Sequence, residues 1–178
     1  MQTRFKLALL VAIVAVTAFG GTVLASPPQD ELAQVRRATA QFHRVEAAID
    51  AGYTLGYVTA HEPPRTIITG CIAHPTLGAM GYHYFNKALI DDMVIDPLRP
   101  EGLVYAPGAD GGLKLVAVEY VVPGPLSNPA GPAVAPTVFG QGMHVLVPAV
   151  GFHTLHAWIW TTNPAGMFAH WNPEVTCP

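Results

Sequence analysis

Hydrophobic residues recur at steps of three and four over one segment near the start of the chain. The apolar positions between Leu32 and Ile49 follow this spacing, which predicts an amphipathic helix over Glu31–Ala51. Asp30 is a suitable N-cap for this helix, and Gly52 is a suitable residue to end it.

After Gly52 the pattern changes to short apolar and aromatic runs separated by glycine and proline, which is typical of β-strands. These runs are Tyr53–Thr59, Thr66–Ile72, Met80–Phe85, Leu103–Ala106, Leu113–Val122, Met143–Val147 and Thr154–Trp160. Asp110-Gly111-Gly112 predicts a tight hairpin, and the five prolines of Pro123–Pro136 predict a surface loop. The expected fold class is α+β, with one N-terminal helix packed on a strongly bent antiparallel sheet or a small β-barrel.

The first 25 residues have the pattern of an export signal. Met1–Lys6 carries two positive charges, Leu7–Phe19 is an apolar run, and Val23–Ala25 places small residues before Ser26. The apolar run is shorter than the ~20 residues that cross a bilayer, so cleavage is favoured over a retained anchor. We therefore predict a signal peptide over residues 1–25 and one secreted globular domain over residues 26–178, extracellular or associated with the cell wall.

The numbers and distribution of acidic and basic residues limit the classes of partner that the protein is expected to bind. Arg4 and Lys6 would leave with the signal, so that seven basic residues face twelve acidic ones, and the basic residues are scattered. Binding to nucleic acid or to an anionic membrane needs a basic face, so neither is an expected partner, whereas a small-molecule ligand is compatible with this composition.

Cys71 and Cys177 form an even pair in a chain predicted for an oxidising compartment, which predicts a disulfide. The alternative is a pair of thiolates that bind a metal, but the two residues lack the close spacing of a zinc knuckle.

Several catalytic chemistries lack their motifs in this sequence. The two serines, Ser26 and Ser127, lie at the cleavage point and in the proline-rich loop, without a G-x-S-x-G elbow. The chain has no glycine-rich phosphate motif and no C-x-x-C-H run. Serine hydrolysis, nucleotide chemistry and c-type haem are therefore not expected, and a cysteine nucleophile is not expected if the disulfide forms.

Histidine is enriched, and imidazole is the commonest protein metal ligand. His83 and His156 lie inside apolar strand patterns, where a polar ring needs a partner. Glu119 is expected on one face of its strand with Leu115, Ala117 and Val121, an apolar face on which a carboxylate must be paired, hydrogen-bonded or bound to a metal. The eight histidines are His43, His61, His74, His83, His144, His153, His156 and His170.

His83, Glu119 and His156 are therefore the candidate metal ligands. Two histidines and one carboxylate suit Fe(II), or zinc with one water, and a further histidine would favour copper. In the competing interpretation, Glu119 pairs with a helix arginine and the histidines are hydrogen-bonded core residues. The arginines considered are Arg36, Arg37 and Arg44.

Other histidines are weaker candidates. His153 and His156 should point to opposite faces of a regular strand, so His153 would become a ligand only if a bulge re-aims it. His144 is a similar reserve candidate. His61 and His74 lie in predicted loops, where exposure is expected.

Six segments of the chain together carry a recognisable pattern: Ala38–Ala40, Met80–Tyr84, Leu115–Tyr120, Leu155–Trp160, Asn163–Phe168 and Trp171–Pro173. This pattern resembles a group of uncharacterised secreted bacterial proteins, mostly of the actinobacterial kind. The similarity spans nearly the whole chain after the predicted signal. It implies that His83, Glu119, His156 and both cysteines belong to the family pattern, and it implies no particular reaction. The sequence differs from the cupins, whose H-x-H motif followed by Glu is absent, so that fold is disfavoured.

The C-terminal Asn-Pro segments at Asn163–Gly166 and Trp171–Pro173 are expected to form turns in a folded tail pinned by Cys177. Alternatively, Trp171 with Trp158 or Trp160 could form a stacking wall for a sugar or aromatic ligand. A cluster of acidic residues lacks the spacing of a calcium loop, so it is expected to be a solvated loop. Its members are Asp91, Asp92, Asp96 and Glu101.

Two functions of different class follow. The first is a secreted metalloprotein holding Cu, Zn or Fe, either an oxidoreductase or a metal-dependent hydrolase. The second is a non-catalytic binding module with an aromatic pocket for a small apolar or sugar ligand. An arginine bridging Glu119 would contradict the first.

Overall fold

The structure is a computed structural model that describes residues 29–59, 66–147 and 151–178. The predicted signal peptide, residues 1–25, and His61 lie outside the described residues. The described chain has the expected α+β composition, with helical segments at its start and antiparallel strands over most of the rest. Within this part, no helix combines the length and apolar character needed to cross a membrane.

The helices are α1 (Gln29–Thr39), α2 (Val45–Asp50) and α3 (Lys87–Asp91), with a 3₁₀ turn at Ala40–His43 between the first two. The strands are β1 (Thr54–Leu55), β2 (Tyr57–Val58), β3 (Thr66–Ile67), β4 (Ile72–His74), β5 (Gly78–Phe85), β6 (Gly102–Pro107), β7 (Leu113–Pro123), β8 (Thr137–Val138), β9 (Gln141–Gly142), β10 (His144–Val147) and β11 (Phe152–Ala157).

The prediction of one continuous helix over Glu31–Ala51 is wrong. The chain is extended at Arg44, with φ −93° and ψ 125°, and the 3₁₀ turn precedes this break. The Phe42 carbonyl accepts a hydrogen bond of 2.6 Å from the hydroxyl of Tyr105 on the sheet, so a tertiary contact replaces a helical one. Helix α1 begins at Gln29, which places Asp30 inside its first turn rather than at the N-cap. Gly52, with φ +91°, follows the end of α2 as predicted.

This tertiary contact supports a prediction about stability. Replacing Tyr105 with Phe removes the hydroxyl and leaves a buried carbonyl without its partner, which should lower the free energy of unfolding by about 2 kcal/mol. Urea denaturation followed by circular dichroism measures the change. Tyr82→Phe is the matched control, because Tyr82 is paired with Tyr105 across β5 and β6 and its hydroxyl makes no hydrogen bond to another described residue. Equal losses in the two variants would contradict this account.

Seven strands form one antiparallel sheet. The order is β1-β5-β6-β7-β11-β10, and β4 pairs with another part of β5. Its two ends, β1 and β10, do not pair with each other within the described ranges, so a closed barrel is not shown. The hairpin between β6 and β7 is confirmed, since Asp110 accepts a hydrogen bond from the Gly112 backbone inside it. Residues 124–136 contain no strand, as the prolines predict.

Two predicted strands are each divided. Gly56, with φ +77°, separates β1 from β2, and Ile68, with φ +61°, lies between β3 and β4. A side chain at Gly56 would come within 2.5 Å of the Ile67 carbonyl oxygen, so the close approach of β2 and β3 requires glycine there. Apolar periodicity does not report such changes in backbone direction.

The main sheet presents two different faces. Leu115, Val118 and Tyr120 pack with Val35 and Phe42 of the N-terminal segment. The opposite face of β7 carries Ala117, Glu119 and Val121. Leu115 was expected on this second face, and that expectation is wrong. The register between β6 and β7 shifts by one residue between Val104 and Tyr105, so a β-bulge reverses the alternation between Leu115 and Ala117.

The predicted disulfide between Cys71 and Cys177 is present, with the two Cα atoms 5.6 Å apart, and the thiolate alternative is wrong. The C-terminal segment is also held by paired backbone hydrogen bonds of 3.0 and 3.1 Å between Asn172 and Ala79. Asn163 accepts a hydrogen bond from the Ala165 backbone, which confirms the predicted turn. The tail is therefore a folded part of the molecule that lies beside β5.

Candidate metal centre

The three predicted ligands come from three strands of the main sheet. His83 lies on β5, Glu119 on β7 and His156 on β11. Glu119 and His156 are directly opposite each other in the antiparallel pair of β7 and β11. Opposite residues in such a pair have Cβ atoms about 5 Å apart, so these two side chains meet without any special feature.

His83 reaches the other two across an intervening strand, because β6 lies between β5 and β7. The residue of β6 opposite Glu119 is Gly102, and a Cβ there would lie 3.0 Å from the Glu119 Cβ and 3.2 Å from the Phe85 ring. The missing side chain of Gly102 therefore leaves the space in which groups from β5 and β7 approach each other.

The ligand atoms of His83, Glu119 and His156 converge on one point. The two Nε2 atoms are 3.2 Å apart, His83 Nε2 is 3.6 Å from Glu119 Oε2, and His156 Nε2 is 3.9 Å from Glu119 Oε1. Ligands held at about 2.1 Å around a tetrahedral Zn²⁺ are separated by about 3.4 Å. Within the described chain, His83, Glu119 and His156 are the group of three metal-ligating side chains that could hold an ion.

Burial controls the charge of this group. All three side chains are at least 96% buried. Removal from water lowers the pKa of His83 to about 4 and lowers the pKa of His156 well below its usual value. Burial, with a smaller contribution from the charge of Glu101, raises the pKa of Glu119 to about 8. At neutral pH the metal-free group therefore consists of two neutral imidazoles and a largely protonated carboxyl.

Three buried atoms of the group have no hydrogen-bond partner in the described structure. They are His83 Nδ1, Glu119 Oε2 and His156 Nδ1. Leaving a polar atom buried without a partner is costly. A cation held between His83, Glu119 and His156 would use the lone pair of Glu119 Oε2, so the donor set fits a metal ion.

The competing interpretation is wrong in pairing Glu119 with an arginine of the helix. Its second part is confirmed, because His83 and His156 are buried and share a hydrogen bond of 3.2 Å between their Nε2 atoms. Arg36 donates to the Ile159 carbonyl at 2.6 Å, Arg44 lies 3.5 Å from Glu46, and Arg37 is exposed. The physical reason is that the N-terminal segment packs on the opposite face of the sheet from Glu119.

A cavity of about 240 Å³ adjoins the group. His83 and Glu119 form part of its wall, and Thr154 contributes a buried hydroxyl that has no partner in the described structure. The other lining residues within the described part of the chain are apolar or aromatic: Ile68, Ile72, Met80, Phe85, Val121, Phe152 and Trp171. The ligand group therefore faces a small chamber suited to an apolar molecule.

The reserve ligands His153 and His144 do not join the group. His153 is buried on the other side of β11, with Nε2 2.9 Å from the Pro132 carbonyl oxygen, as the alternation of a regular strand predicts. His144 is exposed and packs against the ring of His170, with centroids 4.7 Å apart. The expectation that His74 is exposed in a loop is wrong, because it is half-buried at the end of β4, where Nδ1 accepts hydrogen bonds from the Thr76 and Leu77 backbones.

The three tryptophans do not line one pocket. Trp171 borders the cavity beside Glu119, whereas Trp158 and Trp160 border a separate pocket of about 510 Å³ that includes Arg36. Trp158 is 1% exposed and donates to the Ala169 carbonyl at 2.6 Å, so it serves the core. Of the three tryptophans, Trp171 alone remains a candidate for the stacking wall in this cavity. The aromatic residues that line the cavity with it are Phe85 and Phe152.

The solvated acidic loop is confirmed for Asp92, which is exposed in a turn, and is wrong for Glu101. Asp91 is exposed but ends helix α3, and Asp96 is half-buried and accepts a hydrogen bond from Arg99. The side chain of Glu101 is 1% exposed, and Oε2 accepts a hydrogen bond of 2.9 Å from the Val121 backbone. Burial raises its pKa to about 8. Neither periodicity nor a motif in the sequence indicates that this glutamate turns inward.

Thr154 and His170 are further polar residues near the site that the sequence did not nominate. Thr154 could have been found, because it shares the period-two face of His156 on β11. His170 lies in a turn-rich segment without periodicity, and only the tertiary structure brings its ring to within 6.3 Å of the His156 ring.

Comparison of the chain with protein-family models, with curated proteins and with solved structures gave no match. The resemblance to secreted actinobacterial proteins therefore stays a prediction, and the inference of function depends on the geometry of the site.

Proposed function

We propose that this protein is a metalloprotein that binds one divalent transition-metal ion through His83, Glu119 and His156, and that the ion serves a reaction on a small apolar molecule in the adjoining cavity. The observation that carries the proposal is the convergence of three buried side chains. The two Nε2 atoms are 3.2 Å apart, and they lie 3.6 Å and 3.9 Å from the Oε2 and Oε1 atoms of Glu119, with no arginine or lysine of the described residues among them.

The donor set and its spacing favour zinc as the first choice. Catalytic zinc sites commonly use three protein ligands and leave the fourth position for water or substrate. Two histidines and one glutamate are one such set, and His83, His156 and Glu119 have the same composition. The same donors also suit Fe(II). A bound zinc ion would supply an activated water near neutral pH, whereas iron or copper would supply redox chemistry.

The residues that line the cavity would bind and orient the substrate. The apolar wall of the cavity excludes bulk water and favours an apolar substrate, because that wall cannot satisfy the hydrogen bonds of a strongly polar molecule. The Thr154 hydroxyl is positioned to hydrogen-bond a single polar group of the substrate. The aromatic side chains of Phe85, Phe152 and Trp171 would orient a flat or branched apolar body.

The disulfide supports a location in an oxidising compartment. The predicted signal peptide over residues 1–25 points to the same location. We therefore place the proposed activity outside the cytoplasm, in the extracellular space or at the cell wall.

Metal analysis of the protein produced through an export pathway tests the proposal. After incubation with Zn²⁺, Fe²⁺ or Cu²⁺ and dialysis, mass spectrometry should find about one ion per chain. Glu119→Gln keeps the side-chain volume but removes the anionic ligand, so metal affinity should fall at least about tenfold.

Glu101→Gln is the matched control, because Glu101 is also a buried glutamate with a raised pKa but lies outside the ligand group. Its metal affinity should stay within about twofold of the native value. A native protein that stays metal-free with all three ions would refute the proposal, and so would equal losses in the two variants.

A second candidate is a non-catalytic binding module, which the apolar lining of the cavity favours. This function predicts that small aromatic compounds bind equally well to the native protein and to Glu119→Gln. Calorimetric titration with such compounds distinguishes the two candidates, because a metal-dependent site would bind them only when it is loaded.

A further inference from the structure

Two histidines outside the proposed metal centre connect it with the surface. The His170 ring lies 6.3 Å from the His156 ring and 4.7 Å from the His144 ring, measured between centroids. Exposure rises along this series, because His156 is fully buried, His170 is intermediate and His144 is exposed. The three imidazoles therefore form a continuous path from the buried ligands to solvent.

His144 and His170 share an open pocket of about 450 Å³. Charged residues are absent from the described lining of this pocket, so a cation would meet no repelling lysine or arginine there. Trp171 lies in the wall of this pocket and also in the wall of the cavity beside Glu119. The two spaces are thus neighbours on either side of one side chain.

His170 also carries a polar atom that the fold leaves without a partner. Its Nδ1 is buried and makes no hydrogen bond within the described structure. Buried imidazole nitrogens normally have a partner. An unpartnered nitrogen beside an exposed second imidazole is a suitable donor pair for a divalent transition-metal ion, since imidazole suits Zn²⁺, Cu²⁺ and Ni²⁺.

We infer that His144 and His170 form a second, solvent-accessible site for divalent transition-metal ions, and that this site loads the buried centre through His156. The inference rests on the metal centre proposed above. The ion would exchange water for the two outer imidazoles and then exchange those for the buried ligands. Besides these exchanges of coordination bonds, the O–H bond of protonated Glu119 breaks, and its proton leaves to solvent when the ion binds the carboxylate.

Such a site would lower the cost of removing water from an ion on its way to the buried centre. A hydrated Zn²⁺ ion must lose most of its water before it reaches three ligands that are almost completely buried. Desolvation in one step is costly, and intermediate imidazole ligands divide that cost between successive exchanges. Replacing His144 and His170 should therefore slow metal uptake without weakening the equilibrium binding of the ion at the buried centre.

Stopped-flow mixing of the metal-free protein with Zn²⁺ and a chromophoric chelator measures the rate of uptake. We expect the double variant His144→Ala/His170→Ala to take up Zn²⁺ about tenfold more slowly than the native protein, with unchanged occupancy at equilibrium. His144→Ala alone alters an exposed residue and should fold normally, and it should be slowed about threefold. His43→Ala is the matched control, because His43 is also exposed but packs on Trp160.

Uptake by the double variant within about twofold of the native rate would overturn the loading role. The variant Glu119→Gln distinguishes failure of the second site from failure of the proposed metal centre. It removes the anionic ligand of the buried centre and leaves His144 and His170 in place. It should retain one weaker Zn²⁺ equivalent, seen as changes in the imidazole NMR signals of His144 and His170. The absence of that equivalent would overturn the second site, whether or not the buried centre binds metal.

Discussion

The affinity of the protein for Zn²⁺ should rise about ninefold between pH 6 and 7 and about fiftyfold between pH 6 and 8, and should level off above pH 8.5. The reason lies in the pKa of Glu119, which burial raises to about 8. Below that pH the carboxyl carries a proton that the ion must displace. The imidazole of His83 does not add to the slope, because burial lowers its pKa to about 4, so it is already unprotonated at pH 6.

Competition with a chromophoric chelator at each pH gives the affinity directly. Calorimetry in buffers of different ionisation enthalpy provides an independent control, since about one proton should be released per ion at pH 6.5 and almost none at pH 9. A flat profile would mean that Glu119 is ionised in the metal-free protein. Release of two protons would mean that a second group, such as Glu101, titrates with the centre.

Replacing both cysteines with alanine should lower the free energy of unfolding by about 4 kcal/mol. Cys71 and Cys177 are 106 residues apart in sequence, and the cross-link restricts the unfolded chain over that length. The disulfide also holds the C-terminal segment beside β5, where Asn172 pairs with Ala79 and Val175 is buried.

Urea denaturation of native and Cys71→Ala/Cys177→Ala protein measures this loss, provided that the slope with denaturant is also compared, because the unfolded state changes. Both cysteines are replaced together, because a single substitution would leave a free thiol that could bind metal. Thiol titration of the unfolded native protein should find no free sulfhydryl. A loss below about 1 kcal/mol would show that the tail is held mainly by its backbone and core contacts.

Local patterns in the sequence predicted the central strands well. The runs at Met80–Phe85 and Leu113–Val122 became β5 and β7, with their ends displaced by one or two residues. Their apolar character follows from burial on both faces of the sheet. The prediction of a single helix failed at Arg44, because the hydrogen bond that holds Phe42 comes from Tyr105, a residue far away in the sequence.

The candidate ligands could be nominated from the sequence because polar residues in apolar strand patterns are unusual. Glu119 and His156 each interrupt such a pattern, and their strands pair so that the two residues are opposite. The Arg36 alternative remained open in the sequence because apolar periodicity places a residue on a face but does not say what covers that face. Only the packing of the N-terminal segment on the other face excluded it.

The sequence by itself determined the fold class, the main strands, the pairing of the two cysteines and the identity of three candidate ligands. These features depend on local periodicity and on residue chemistry. The tertiary structure alone decided that His83 meets Glu119 across Gly102, that Leu115 lies on the other face, that Glu101 is buried, and that His170 adjoins His156. Strand order, a β-bulge and the course of the C-terminal segment are non-local properties, because each depends on contacts between residues far apart in the chain.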